Sequence, residues 1–178
     1  MCRTPPFAGT LCLILFAAAR LMAAGPAGGF PFTVDSWSAE DGLPDNEANS
    51  VVQTKDGYLW VGTSHGLARF DGIQFTRFDE MNTPALKSDG IAFLFQDSQS
   101  NLWIGTSSSG LAVIEHGKIR SFEKETEGAG QIVGASEQGG DILFYSENGF
   151  VRYHDGQISY YPGVRSLQLY LIEQHWYV

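Results

Sequence analysis

Cysteine is nearly missing from this chain. The 178 residues hold two, Cys2 and Cys12, and both fall in the N-terminal leader. Beyond it there is no disulfide, no thiol nucleophile and no cysteine-ligated metal. Basic charge is also scarce: 11 Lys and Arg stand against 20 Asp and Glu, for a net charge of −9. Without a basic patch, nucleic acid is not an expected partner. The longest apolar run, residues 11–19, is too short for an ordinary membrane span. Helical periodicity is nearly absent. His65, His116, His154 and His175 show no metal-ligand spacing. No Gly-x-Ser-x-Gly elbow or phosphate-binding glycine loop occurs. No catalytic residue, metal or cofactor is therefore expected, and the chain is not read as an enzyme.

The leader itself is informative. Arg3 precedes the apolar run, and the small residues Ala23, Ala24 and Gly25 follow it. Residues 1–24 thus read as a secretory signal peptide cut near Ala24, with an uncleaved anchor as the alternative. Removing them takes away Arg3 and Arg20 and no acid, moving the charge from −9 to −11. The expected location is periplasmic or secreted. Residues 25–31 are a Gly/Pro/Ala-rich spacer.

What the chain does have is a repeat. Leu59-Trp60-Val61-Gly62-Thr63 returns as Leu102-Trp103-Ile104-Gly105-Thr106, and 43 residues separate both Trp60 from Trp103 and Gln53 from Gln96. Gly66-Leu67-Ala68 returns as Gly110-Leu111-Ala112. A third, worn copy sets Gly149-Phe150-Val151-Arg152-Tyr153 where Gly66-Leu67-Ala68-Arg69-Phe70 stood. A period of about 40–45 residues with four short strands per copy marks a β-propeller blade. Apolar runs such as Leu111-Ala112-Val113-Ile114 suit sheets covered on both faces, as stacked blades are.

The fold class expected is therefore all-β: a partial propeller over residues 32–178, with antiparallel blades at about 49–79, 91–123 and 131–162 and the start of a fourth at 166–178. Phe32–Trp37 lies in register with a last blade strand and is expected to close a ring. Asp71-Gly72 reads as a two-residue hairpin turn before a strand from Ile73. Glu115-His116-Gly117 and His154-Asp155-Gly156 read as three-residue turns, each ending in a glycine. Residues 167–171 and 176–178 read as strands. Three blades and a beginning cannot close a ring of about 4–8, so the expectation is an N-terminal piece of a longer protein or a truncated gene.

Trp60, Gly62, Thr63, Gly66, Gly72, Trp103, Gly105, Thr106, Gly110, Gly117, Gly149 and Gly156 are assigned to the structural repeat, with both tryptophans packing between blades. Trp37 and Trp176 lie outside that position and are the candidates for a ligand face. Asp41, Asp45 and Glu47 cluster in one loop, where paired carboxylates could hydrolyse a glycoside. Acidic residues are common in such turns, and the Ser-x-Asp-x-Gly-x-Thr-Trp repeat of sialidase propellers is absent.

The lead-in Trp37-Ser-Ala-Glu-Asp-Gly-Leu-Pro-Asp-Asn46, the segment Val52-Gln-Thr-Lys-Asp-Gly-Tyr-Leu-Trp-Val-Gly-Thr63 and the segment Gly66-Leu-Ala-Arg-Phe-Asp-Gly72 resemble the two-component regulator propeller family. The resemblance covers about residues 32–161. The third copy departs from it, with Leu143 for the tryptophan and Tyr145-Ser146 for Gly-Thr. The resemblance implies an extracytoplasmic sensor feeding a phosphorelay. In full-length members two propellers precede a β-sandwich, a membrane helix and a histidine kinase, and many are thought to sense carbohydrate breakdown products. The implied partners are a carbohydrate ligand and the remaining blades and signalling domains, with dimerisation open in the full-length protein. The alternatives are a propeller hydrolase or lyase acting on polysaccharide, and a non-catalytic interaction scaffold.

Overall fold

A computed structural model describes residues 33–108 and 110–163 fully, and the backbone of residues 170–172 and 175–177. The chain divides into two units, Met1–Asp35 and Ser36–Val178. Of the first, only residues 33–35 are described, and they are irregular. The leader, the spacer and Phe32 lie outside the described residues.

The second unit is built from strands. β1 (Ala48–Gln53), β2 (Leu59–Thr63), β3 (Gly66–Phe70) and β4 (Phe75–Phe78) form one antiparallel sheet in sequence order. β5 (Ile91–Gln96), β6 (Leu102–Thr106), β7 (Leu111–Glu115) and β8 (Lys118–Ser121) form a second. β9 (Ile132–Gln138), β10 (Asp141–Ser146), β11 (Gly149–His154) and β12 (Gln157–Pro162) form a third. β13 (Tyr170–Ile172) and β14 (His175–Tyr177) make a two-stranded hairpin. Residues 166–169, 173, 174 and 178 of the expected fourth blade lie outside the described residues. Three copies of one four-stranded meander make this an all-β protein of propeller blades.

The copies agree in detail. Each first strand carries a bulge near its start, at Asn49, Ala92 and Val133. The second strand ends in a hydroxyl residue that ties the next turn. Thr63 Oγ1 donates to the Gly66 carbonyl at 2.8 Å, Thr106 to Gly110 at 3.2 Å and Ser146 to Gly149 at 2.9 Å. Ser146 keeps the bond although the third copy has lost Gly-Thr.

Three local expectations need correction. Residues 33–37 form no strand: they are irregular and exposed. The turn after Phe70 has four residues, because Phe70 pairs with Phe75. The Asp71 carboxylate accepts from the Ile73 and Gln74 amides at 2.9 and 2.8 Å and rolls the chain once more, leaving Ile73 90% exposed. The two turns read as three-residue loops have two. Glu115 pairs with Lys118 and His154 with Gln157. His116 and Gly117 carry φ of 50° and 74°, and Asp155 and Gly156 carry 46° and 81°. Positive φ at both central positions is the type I′ pattern, whose twist matches the strands.

The core lies between sheets. Trp60 packs with Ile91, Leu94, Leu102 and Ile104 of the second blade. Trp103 packs with Ile132, Ile142, Phe144 and Val151 of the third. Each wholly buried side chain of this kind contributes about 1.5–3 kcal/mol relative to exposure. Both glycines after the tryptophans serve this approach: a Cβ on Gly62 would stand 2.5 Å from Ile91 Cγ2, and one on Gly105 2.8 Å from Ile132 Cβ. A polar link repeats beside them. The Lys55 amide donates to Gln96 Oε1 at 2.9 Å, and the equivalent Ser98 amide to Glu137 Oε2 at 2.8 Å.

Candidate functional site

The two wedges between neighbouring blades start from the same plan and end differently. In the wedge between blades 2 and 3, Trp103 is 1% exposed. Its indole Nε1 donates to Asp97 Oδ2 at 2.9 Å. Asp97 is itself buried and also accepts from the Asn101 backbone and side chain. Tyr153 meets the indole edge-on at 4.7 Å between centroids, Phe144 lies at 5.0 Å and Phe122 at 5.8 Å. Aromatic side chains fill this wedge.

The wedge between blades 1 and 2 keeps one aromatic, Phe78 in the place of Phe122 at 5.5 Å from Trp60, and carries smaller or polar groups at other equivalent positions. By strand register, Ile114 stands where Tyr153 stands, Ile104 where Phe144 stands and Arg69 where Val113 stands. Thr54 replaces Asp97, and its hydroxyl turns to Asp56 and the Tyr58 carbonyl. Among the described residues, Trp60 has no counterpart of the Trp103–Asp97 bond. The result is an open cleft of about 630 Å³. Trp60, Phe78, Leu102, Ile114 and Ile119 supply apolar wall, and Asp56, Arg69, Gln99, Asn101 and His116 supply polar groups. This volume and this mixture are those of small-molecule sites.

Arg69 is held by stacking. Its guanidinium lies 4.4 Å from the Tyr58 ring centroid and 5.8 Å from that of Trp60. Its Nε is buried without a hydrogen-bond partner, and among the described residues Arg69 forms no ion pair. Arg152 occupies the same register position in blade 3. There Asp141 replaces Tyr58, and Arg152 Nη2 donates to both Asp141 oxygens, at 2.9 and 3.2 Å. That contact raises the Arg152 pKa above its usual value.

The residues assigned from sequence fall as follows. Trp60 and Trp103 occupy equivalent interior positions, Trp60 with one edge on the cleft. Gly72, Gly117 and Gly156 lie in the outer turns, and Gly117 also borders the cleft. Trp37 stays 43% exposed, but its ring packs on Phe70 at 5.1 Å and Phe75 at 6.0 Å. It lies on the opposite side of blade 1 from the cleft wall. Trp176 is in β14, paired with Leu171. Asp41 caps the Ala39–Asp41 3₁₀ turn through Ser38, and Asp45 pairs with His65 at 2.5 Å. That hydrogen bond holds the Asp45 carboxyl below its usual range. Asp41 and Asp45 are thus used in loop structure, Asp45 also accepting from the Glu47 backbone amide at 3.2 Å. Among the described residues no group of His, Cys, Asp and Glu could hold a metal ion, and no helix is long and apolar enough to cross a membrane. Sequence reasoning passed over Arg69, although it stood inside the repeat. The available signal was its departure from Val113 at the same position.

A β-propeller segment is the class that this architecture defines. The family model described as two component regulator propeller matches residues 42–65 and 85–108, the lead-in through second strand of the first two blades. No curated protein matches the sequence. Two crystal structures of the extracellular domain of BT4673 from B. thetaiotaomicron are similar; one names it a one component system and the other a hybrid two component system. Their TM-scores are 0.57 and 0.58, at 18% and 22% identity, over 74% and 80% of this chain. The matches take in 18% and 21% of those chains, so this chain spans about a fifth of their length. At this identity the likeness is one of fold.

Proposed function

We propose that the chain is a ligand-sensing propeller segment of an extracytoplasmic two-component signalling protein, and that it binds a carbohydrate in the cleft between blades 1 and 2. The observation that carries this reading is the difference between the two wedges. One plan yields a filled wedge beside Trp103 and an open, mixed-polarity cleft beside Trp60. Hydroxyl-rich rings suit such a site, because amides and carboxylates can bond hydroxyls while Trp60 and Phe78 offer apolar wall. Binding that favours one arrangement of the blades would then bias signalling parts outside this chain. No catalytic constellation lines the cleft, which favours binding over hydrolysis.

Isothermal titration of the full chain against a pool of plant-polysaccharide oligosaccharides tests the reading. Saturable heat that disappears in the Ile114→Tyr variant is expected. Binding that survives this variant unchanged places the ligand elsewhere, and shortening of the oligosaccharides during incubation makes the chain a hydrolase or lyase.

A further inference from the structure

Among the described residues Arg69 forms no ion pair, in a chain where acids outnumber Lys and Arg by 20 to 11. Its register equivalent, Arg152, shows what an arginine at this position does when a carboxylate is within reach: one Nη donates to both oxygens of Asp141. In blade 1 the position of Asp141 is taken by Tyr58, and the ring stacks under the guanidinium 4.4 Å away. Stacking fixes the plane of the guanidinium and leaves its edge, where the N–H donors project, free to bond in that plane. Further groups of the lining can donate: the Trp60 indole lacks the carboxylate that Trp103 has, and Gln99 and His116 share the lining with the acceptor Asp56. Thr54 and Tyr58 stand where Asp97 and Asp141 stand in the other blades, so the two carboxylates that would meet Trp60 and Arg69 are replaced, and Asp56 is the carboxylate that lines the cleft.

We infer that the cleft takes a carboxylate-bearing, hydroxyl-rich small molecule, a sugar acid in chemical class, whose carboxylate is received by the Arg69 guanidinium. This rests on the reading of the cleft as a ligand site and specifies what that site selects. Charge-assisted, two-point bonding to a fixed guanidinium favours a carboxylate over a hydroxymethyl group at the same ring position. Asp56 lines the same cleft, and a carboxylate there accepts from the ligand's hydroxyls and not from its acid group.

The test compares digalacturonate with its neutral counterpart, a galactose disaccharide, by titration calorimetry on the full chain. The expected result is binding of the acid roughly tenfold tighter or more, with the preference lost in Arg69→Gln and partly kept in Arg69→Lys. Unchanged melting temperatures of both variants show that the loss is not unfolding. Equal affinity for acid and neutral sugar overturns the inference and leaves the ligand-binding reading standing. An acid preference that survives Arg69→Gln also overturns it. Silence from both sugars overturns it as well, while the oligosaccharide pool judges the broader reading independently.

Discussion

Ile91 opens the second blade by lying against the bare Cα of Gly62, where a Cβ would come within 2.5 Å of its Cγ2 and 3.0 Å of its Cβ. Ile132 meets Gly105 in the same way, one blade later. The atoms concerned sit close to the backbone and cannot swing aside. Gly62→Ala and Gly105→Ala are each expected to cost about 1–3 kcal/mol, as overpacked interiors do. Urea denaturation measures this. A loss below a few tenths of a kcal/mol at both sites contradicts the interlock.

The tryptophans should respond unequally. Trp103→Phe removes the indole donor from buried Asp97 and leaves its Oδ2 with the Asn101 side chain alone. A charge-assisted bond of this kind contributes about 1.5–3 kcal/mol. Trp60→Phe breaks no such bond and opens onto a cleft already present. The expected outcome is a clearly larger drop in stability for Trp103→Phe, read from paired denaturation curves.

Low pH should loosen the first outer turn. The Gln74 and Ile73 amides hold the Asp71 carboxyl below its ordinary value of 3.8. A carboxyl depressed in the folded state adds stability above its unfolded pKa and loses it as pH falls through the folded value. Carboxyl carbon shifts of Asp71 should therefore titrate below 3.8, and Asp71→Ala should flatten that part of the stability profile. A midpoint at or above 3.8 would falsify the capping geometry.

Much of this was legible in the sequence. The 43-residue spacing of Trp60 and Trp103 marked the blades, and Gly62 and Gly105 recur with them; the close approach that the glycines permit shows only once Ile91 and Ile132 are placed against them. The outer turns were misread because hairpin length depends on pairing: whether Glu115 ends a strand or starts a loop is decided by Lys118 opposite it. The closing strand at Phe32–Trp37 rested on spacing, and a strand needs a neighbour that spacing does not supply. The cleft was hidden for another reason. Repeats draw attention to what recurs, and this site is made by what fails to recur: Thr54 for Asp97, Arg69 for Val113, Ile114 for Tyr153.

That contrast is tested most directly by converting one wedge into the other. The structure of the Arg69→Val/Ile114→Tyr double variant should show the new tyrosine edge-on to Trp60, near the 4.7 Å centroid spacing of Tyr153 and Trp103, with the cleft filled. A tyrosine turned out to solvent over a cleft still open would contradict the account.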